Sequence, residues 1–280
     1  MKQIAVHNIA DAVKQICIDA NYLLGSEELN ALDEGIKKEE SPTGIEVLKQ
    51  IRLNADIAKN EDIPICQDTG LAVFFVDIGN DVTIEGGSLT DAINEGVRQG
   101  YKEGYLRKSV LNDPIKRVNT GDNTPAIIHY NYVEGDKLRI ILDAKGGGSE
   151  NMSRLKMLKP SDGRAGVKDF VVEAVKQAGG NPCPPLVVGV GIGGNFEKCA
   201  LMAKHALLRE LGKPSKEPDT ARLEQELLQE INDLGIGPMG LGGRVTALAV
   251  HVETYPCHIA SLPAAVNLDC HVHRHKEIIL

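Results

Sequence analysis

The stretch "IPICQDTGLAVFFVDIG", Ile63 to Gly79, joins a polar turn to an apolar run. Leu71 to Ile78 is apolar and rich in β-prone residues, which predicts a buried strand. Ahead of it stand a thiol (Cys66), an amide (Gln67), a carboxylate (Asp68) and a hydroxyl (Thr69), followed by Gly70. Four chemically active side chains at one strand mouth raise the question of what they serve.

The flanking sequence supplies both helices and strands. "MKQIAVHNIADAVKQI" reads as an amphipathic helix, with Ile4, Val13, Ile16 and Cys17 able to share one face. "SPTGIEVLKQIRLNADIAKN" opens with Ser41 as a cap and Pro42 at the first helical position. "DVTIEGG" predicts a second strand, and Leu89 to Gly104 a helix. "PAIIHYNYVEGDKLRIILDAKGGG" predicts a hairpin turning at Glu134-Gly135-Asp136. Gly166 to Ala178 is helical in pattern, and "PPLVVGVGIGGNFEKCALMAKHALLREL" reads as strand, glycine turn and helix. A charged loop over residues 213 to 222 leads to a helix at Arg222 to Leu234, and "GPMGLGGRVTALAVHVETYP" gives a glycine loop and a strand. No internal repeat and no separating linker stand out. The fold class predicted is α+β: sheet and helix mixed in a single body over residues 1–280, with a bilobed arrangement left open.

Composition narrows the function. With 42% hydrophobic residues the chain of 280 can bury a substantial core, which excludes a disordered protein. Lys and Arg total 31 against 39 acidic residues, a net charge of −8 with no dense basic run. That balance argues against nucleic acid or an anionic membrane as the main partner. No apolar stretch is long enough to span a bilayer and no secretory signal is visible, so the cytoplasm is the expected location.

Six cysteines are scattered without a CxxC pair, so neither a disulfide framework nor a zinc ribbon is supported. Cys17 and Cys199 lie in apolar helical patterns, where a thiol acts as a small core residue, and Cys257 after Pro256 is ambiguous. Cys66 in "ICQDTG", Cys183 in "GGNPCPPL" and Cys270 in "NLDCHVHRH" occupy polar or Pro/Gly-rich loops. Three thiolates without a fourth have two chemical readings. An iron–sulfur cube held by three cysteines leaves one iron open to act as a Lewis acid. A zinc ion with three protein ligands and a water is the rival.

Other segments could serve the same centre. "AKGGGSENMSRL", Ala144 to Leu155, can form either an anion-binding nest of backbone amides or an ordinary strand-to-helix connection. "GVGIGG", Gly189 to Gly194, lacks the dinucleotide spacing and is expected to let a helix N-terminus approach something negative. His271, His273 and His275 read either as a metal tract or as a solvated terminal strand with one packed histidine. Arg107, in "GYLRKSVLNDP", is either a surface helix end or a carboxylate clamp.

Taken in order, "CQDTG", "KGGGSEN", "NPCPP", "GVGIGG", "GPMGLGGRVTAL" and "HIASLPAAVNLDC" resemble the class I fumarate hydratase family. The likeness is to the α subunit of its two-subunit type, which is closely similar to the α subunit of L-tartrate dehydratase, and it runs from about Ile4 to the C-terminus. The resemblance implies a [4Fe–4S] cluster held by Cys66, Cys183 and Cys270, with glycine-rich loops around it and one iron lacking a protein ligand. It implies that Gln67, Arg107 and Gly147 contact the substrate and that Asp68 takes part in catalysis. Cys257 matches no family ligand.

Single-chain members of the family continue through a C-terminal domain with further substrate-binding arginines, a lysine and a catalytic threonine. By resemblance a separate β subunit supplies that half, in a hetero-oligomer of α2β2 type. The reaction implied is reversible hydration of fumarate, a small dicarboxylate, to (S)-malate, as in the tricarboxylic acid cycle. Tartrate dehydration to oxaloacetate by the same chemistry is the near alternative. A non-catalytic iron–sulfur or zinc module, and a nucleotide-binding regulator acting through "GVGIGG", are the readings from other classes.

Overall fold

A computed structural model describes residues 1–280. In chain order it opens with β1 (Lys2–Ala5), α1 (Val6–Tyr22), α2 (Ser26–Lys38), α3 (Pro42–Glu61), β2 (Leu71–Gly79), β3 (Val82–Glu85) and α4 (Leu89–Glu103). It continues with β4 (Leu111–Asp113), β5 (Val118–Asn119), β6 (Ile127–Val133), β7 (Leu138–Lys145), the single turn α5 (Gly147–Glu150), β8 (Arg154–Leu158) and α6 (Gly163–Ala178). The last part holds β9 (Leu186–Gly193), α7 (Phe196–Ala206), α8 (Pro218–Asn232), β10 (Ala247–Tyr255), β11 (Leu262–Asp269) and β12 (His275–Ile279). The α+β class predicted from the sequence holds, with mixed sheets.

Contacts divide the chain into two compact units. The first is Met1–Leu24, Ala55–Gly147 and Arg274–Leu280; the second is Gly25–Asn54 and Gly148–His273. Because the chain crosses between them four times, no single composition shift marks the division.

In the first unit a sheet of order β12-β7-β2-β6 has the apolar run after "CQDTG" near its middle. Helices α1 and α4 close over it, their Ile9, Val13 and Ile93, Val97 joining Phe74, Val76, Ile140 and Leu142 in one core. The two helices approach closely because α4 presents glycine: a Cβ on Gly96 would lie 2.6 Å from the Ala10 carbonyl oxygen. Residues 127–145 do not form the simple hairpin predicted. β2 is inserted between β6 and β7, parallel to the first and antiparallel to the second. The physical reason is burial. The apolar β2 fills an interior position with two neighbours, and the largely exposed β6 takes the edge. Lys2 to Ala5, read as the start of a helix, instead pairs as β1 with β3.

In the second unit the sheet order is β10-β9-β11-β8. Its two faces differ, and alternation along β9 shows why. Leu186, Val188 and Val190 join a core with Val171 and Val175 of α6 and Leu227 and Ile231 of α8. The alternate residues Gly189 and Gly191 lie against α7, where a Cβ would come within 2.0 Å of the Ala203 oxygen and 2.1 Å of the Cys199 oxygen. "GVGIGG" is therefore mainly strand. Its glycines admit the body of α7, and only Gly194 and Asn195 form the turn, with Asn195 accepting the Lys198 N–H at 2.9 Å. The predicted glycine loop feeding a helix N-terminus is corrected accordingly.

Candidate active site

The first unit gathers Cys66, Gln67, Asp68, Arg107 and Gly147 around the mouth of β2. Cys66 is partly exposed, and its thiol donates to the Gln67 side-chain oxygen at 3.4 Å. Asp68 closes the turn: one carboxylate oxygen accepts the Gly70 N–H at 3.1 Å, and the other accepts the Gly147 N–H at 2.8 Å. The carboxylate thus spans from its own loop to the "KGGG" loop. Thr69 donates its hydroxyl to the Arg107 carbonyl at 3.1 Å, which sets the backbone of Arg107 beside the turn while its side chain stays exposed. Gly70 has φ +78°, and a Cβ there would fall 2.7 Å from the Ala144 backbone. Only glycine lets the turn lie this close to the end of β7.

Two buried side chains lock this turn from below. The Tyr101 hydroxyl donates to the carbonyls of Thr69 and Gly70 at 2.8 and 3.2 Å. Burial pushes that phenol well above its ordinary range, so it remains a donor. Asn123 accepts the Ser109 N–H at 2.6 Å and donates to the Gly70 carbonyl at 3.3 Å. Arg274, also buried, donates from Nε to the Ala144 carbonyl at 3.1 Å and from Nη2 to the Asp68 carbonyl.

The second unit brings Cys183 and Cys270 together. His271, next to Cys270, donates both its backbone N–H (3.3 Å) and its ring Nδ1–H (3.0 Å) to the Cys183 carbonyl. Cys183 sits at φ +56°, a left-handed conformation unusual for a non-glycine residue, which marks a constrained loop. The "GPMGLGG" loop braces it: the Met239 N–H donates to the Pro184 carbonyl at 2.8 Å, and Gly240 passes Gly180 so closely that a Cβ would meet its Cα at 2.6 Å. Buried Glu39 holds the far end of that loop by accepting the N–H groups of Arg244 and Val245 at 2.8 and 2.7 Å. Burial works against that charged carboxylate, but its four backbone donors outweigh it and keep the group ionised below the ordinary carboxylate range.

Beside Cys270, Asp269 accepts the Cys270 N–H at 3.1 Å, the Ser149 hydroxyl at 3.4 Å and the His273 Nδ1–H at 2.7 Å. A polar chain continues along this face of the sheet. Asn267 donates to Glu150 at 2.9 Å and Ser153 at 3.0 Å, and Lys204 pairs with Glu150 at 2.7 Å. The "SENMS" part of the second glycine motif is therefore built into the wall behind Cys270. The second reading of the terminal histidines describes what is seen: one histidine is packed, and His275 opens the half-exposed terminal edge strand β12. His273 and Arg274 are buried, and His271 is partly covered.

The remaining cysteines match their core reading in two cases. Cys17 and Cys199 are buried, and burial raises both thiols above their ordinary range, Cys17 by far the more. Cys257 is exposed. Sequence reasoning passed over Tyr101, Asn123, Asp269 and Arg274. Asp269, directly before Cys270, and Arg274, between His273 and His275 of the histidine tract, carried the only visible signals.

Comparison gives the family of this α+β chain. Residues 10–279 match the family described as "Fumarate hydratase (Fumerase)". A Methanocaldococcus jannaschii protein named "Putative L(+)-tartrate dehydratase subunit alpha" is 44% identical over 268 residues, covering 94% of each chain. The L(+)-tartrate dehydratase subunit alpha of Escherichia coli O157:H7 is 31% identical over 283 residues, covering all of this chain and 93% of its own. The corresponding subunit of E. coli strain UTI89 is 32% identical over 277 residues, covering 98% and 91%. The chain belongs to the fumarate hydratase family, and hydro-lyase chemistry is the activity of that family. No helix is long and apolar enough to cross a membrane.

Proposed function

We propose that this chain is the α subunit of an iron–sulfur hydro-lyase that adds water to fumarate, forming (S)-malate, together with a separate β subunit. The observation that carries the reading is the Asp68 carboxylate, pinned by two backbone amides between the "CQDTG" and "KGGG" loops. The donor chemistry fits a cluster: Cys66, Cys183 and Cys270 are partly exposed at loop positions, whereas Cys17 and Cys199 are buried with raised thiols. In this reading those three hold a [4Fe–4S] cluster. When bound, it supplies an open iron that polarises the substrate's hydroxyl and carboxylate oxygens.

The chain's own residues do the rest. Two fixed hydrogen bonds orient Asp68, which accepts a hydrogen bond from the substrate hydroxyl or exchanges its proton. Gln67 hydrogen-bonds the substrate, and Arg107 clamps a carboxylate. The base that takes the C3 proton belongs to the β subunit. The "subunit alpha" names of the relatives support a partner, for which α2β2 is the proposed stoichiometry. The same names favour a second reading, dehydration of L(+)-tartrate to oxaloacetate, which the same site could serve because L(+)-tartrate, like (S)-malate, presents a hydroxyl next to a carboxylate.

Co-expression with the β subunit under anaerobic conditions, followed by parallel assays with fumarate and L(+)-tartrate, separates the two. Asp68→Asn tests the catalytic role on the same material. General acid–base groups typically contribute about 10²–10⁴-fold, so kcat is expected to fall by that factor with the cluster retained. The one oxygen of Asn can still cap the turn at the Gly70 N–H but cannot also accept the Gly147 N–H, so wild-type kcat with a full cluster would remove the Asp68 carboxylate and its bridge to Gly147 from the mechanism.

A further inference from the structure

We infer that Arg274 is the positioning residue for Asp68, a role that rests on the reading of Asp68 given above. Arg274 is 3% exposed. Nη2 holds the Asp68 carbonyl, Nε holds the Ala144 carbonyl, and the Arg274 carbonyl accepts the Ala144 N–H at 3.3 Å. Asp68 is therefore fixed at both ends to the segment that leaves β7, its carbonyl through Arg274 to Ala144 and its carboxylate through the Gly147 N–H. Gly146 lies in the gap between them: a Cβ there would come 3.5 Å from the Asp68 carboxylate and 3.7 Å from Nη2.

The energetics separate this from a stabilising role. Both hydrogen-bond acceptors of Arg274 are carbonyls, and Nη1 is buried with no partner. A buried cation with an unsatisfied donor costs stability, and an apolar side chain of similar volume would fill the space more cheaply. What an apolar residue cannot do is hold a carbonyl of the "CQDTG" turn and a carbonyl of β7 at a fixed separation. Small displacements of reacting groups are costly in rate: about 1 Å of misplacement can cost about 10²-fold.

Arg274→Lys and Arg274→Met, each alone and combined with Asp68→Asn, test this in the anaerobically assembled holoenzyme. Arg274→Lys keeps the charge but cannot reach both carbonyls in the fork geometry, so kcat is expected to fall by about 10²-fold while KM and inhibition by succinate change little. In the Asp68→Asn background the same substitution should cost almost nothing more, because a residue acting through Asp68 has nothing left to position. A merely structural residue would lower kcat equally in both backgrounds, and that additivity overturns the proposal. So does wild-type kcat in Arg274→Lys. Failure of both variants to assemble with a full cluster also overturns it, since Arg274 would then be a stability residue. Amide exchange at Gly147 in the assembled complex should quicken in Arg274→Lys, and unchanged exchange counts against the proposal without any assay of turnover. Absence of wild-type turnover on both substrates would sink the functional reading and leave the exchange result to decide Arg274.

Discussion

Two glycine-rich stretches look alike on paper and do opposite work. "KGGG", Lys145 to Gly148, leaves the end of β7 and turns its backbone toward polar partners, so that the Gly147 N–H meets the Asp68 carboxylate at 2.8 Å. A Cβ on Gly147 would find only that carboxylate, at 3.8 Å. "GVGIGG" lies mostly within β9, where the missing Cβ positions of Gly189 and Gly191 are filled by the backbone of α7. One absence of side chains exposes a donor; the other lets a helix sink onto a sheet. A glycine's meaning lies in what faces it, and a sequence does not print that.

The largest effect that bears on this contrast lies at the thiols the loops support. Cys66→Ser, Cys183→Ser and Cys270→Ser are each expected to abolish most iron–sulfur absorbance after anaerobic reconstitution. Cys17→Ala, Cys199→Ala and Cys257→Ala should retain it. Full retention in any of the first three would break the assignment of that loop.

Gly189→Ala strikes the packing side. Its Cβ would fall 2.0 Å from a backbone oxygen that cannot move aside, so α7 must shift. Overpacking of this kind costs about 3 kcal/mol at the upper end of its range, and thermal unfolding should fall by several degrees. An unchanged midpoint would mean that α7 floats free of β9.

Next in size is a pH effect on the same packing. His251, paired with Gly189 across the β9–β10 ladder, donates from Nδ1 to the Ala206 carbonyl of α7 at 3.2 Å. Burial, helped by the charges of Arg209 and His273, lowers its pKa from 6.5 to about 3. The folded state therefore keeps this histidine neutral where the unfolded chain protonates. Stability is unaffected above the unfolded value and is lost as pH drops from about 6.5 toward 3. Between the unfolded value and pH 5 the loss is about 2 kcal/mol. His251→Gln, compared with wild type by denaturant unfolding at pH 7 and pH 5, should remove that part of the acid sensitivity. Equal pH dependence in both would assign it to other groups.

The smallest effect on stability belongs to the first loop. Gly147→Ala places a methyl at ordinary contact distance from Asp68, so the folding free energy should change by less than about 1 kcal/mol. Its consequence belongs in kinetics, through the Gly147–Asp68 hydrogen bond. A destabilisation as large as that of Gly189→Ala would erase the distinction between the two stretches.

Much of the molecule was legible along the chain because local chemistry suffices for it. The continuous apolar, β-prone run Leu71 to Ile78 marked β2, and Ser41 with Pro42 started α3, where the Ser41 hydroxyl accepts the Gly44 N–H at 3.2 Å. The loop composition around Cys66, Cys183 and Cys270, set against the apolar helices of Cys17 and Cys199, matches their difference in burial. What the chain could not print were relations across it. β2 slipped between β6 and β7 because strand order is settled by which run gains most from two neighbours, while the Glu134-Gly135-Asp136 turn signal is the same either way. The glycines of β9 were assigned to a loop because the backbone that fills their missing side chains lies some ten residues on, in α7. Arg274 went unread because its meaning is a pair of carbonyls at residues 68 and 144. Periodicity and turn chemistry act over a few residues and can be read in order; strand insertion, close backbone approach and the partners of a buried charge exist only after the chain has returned on itself.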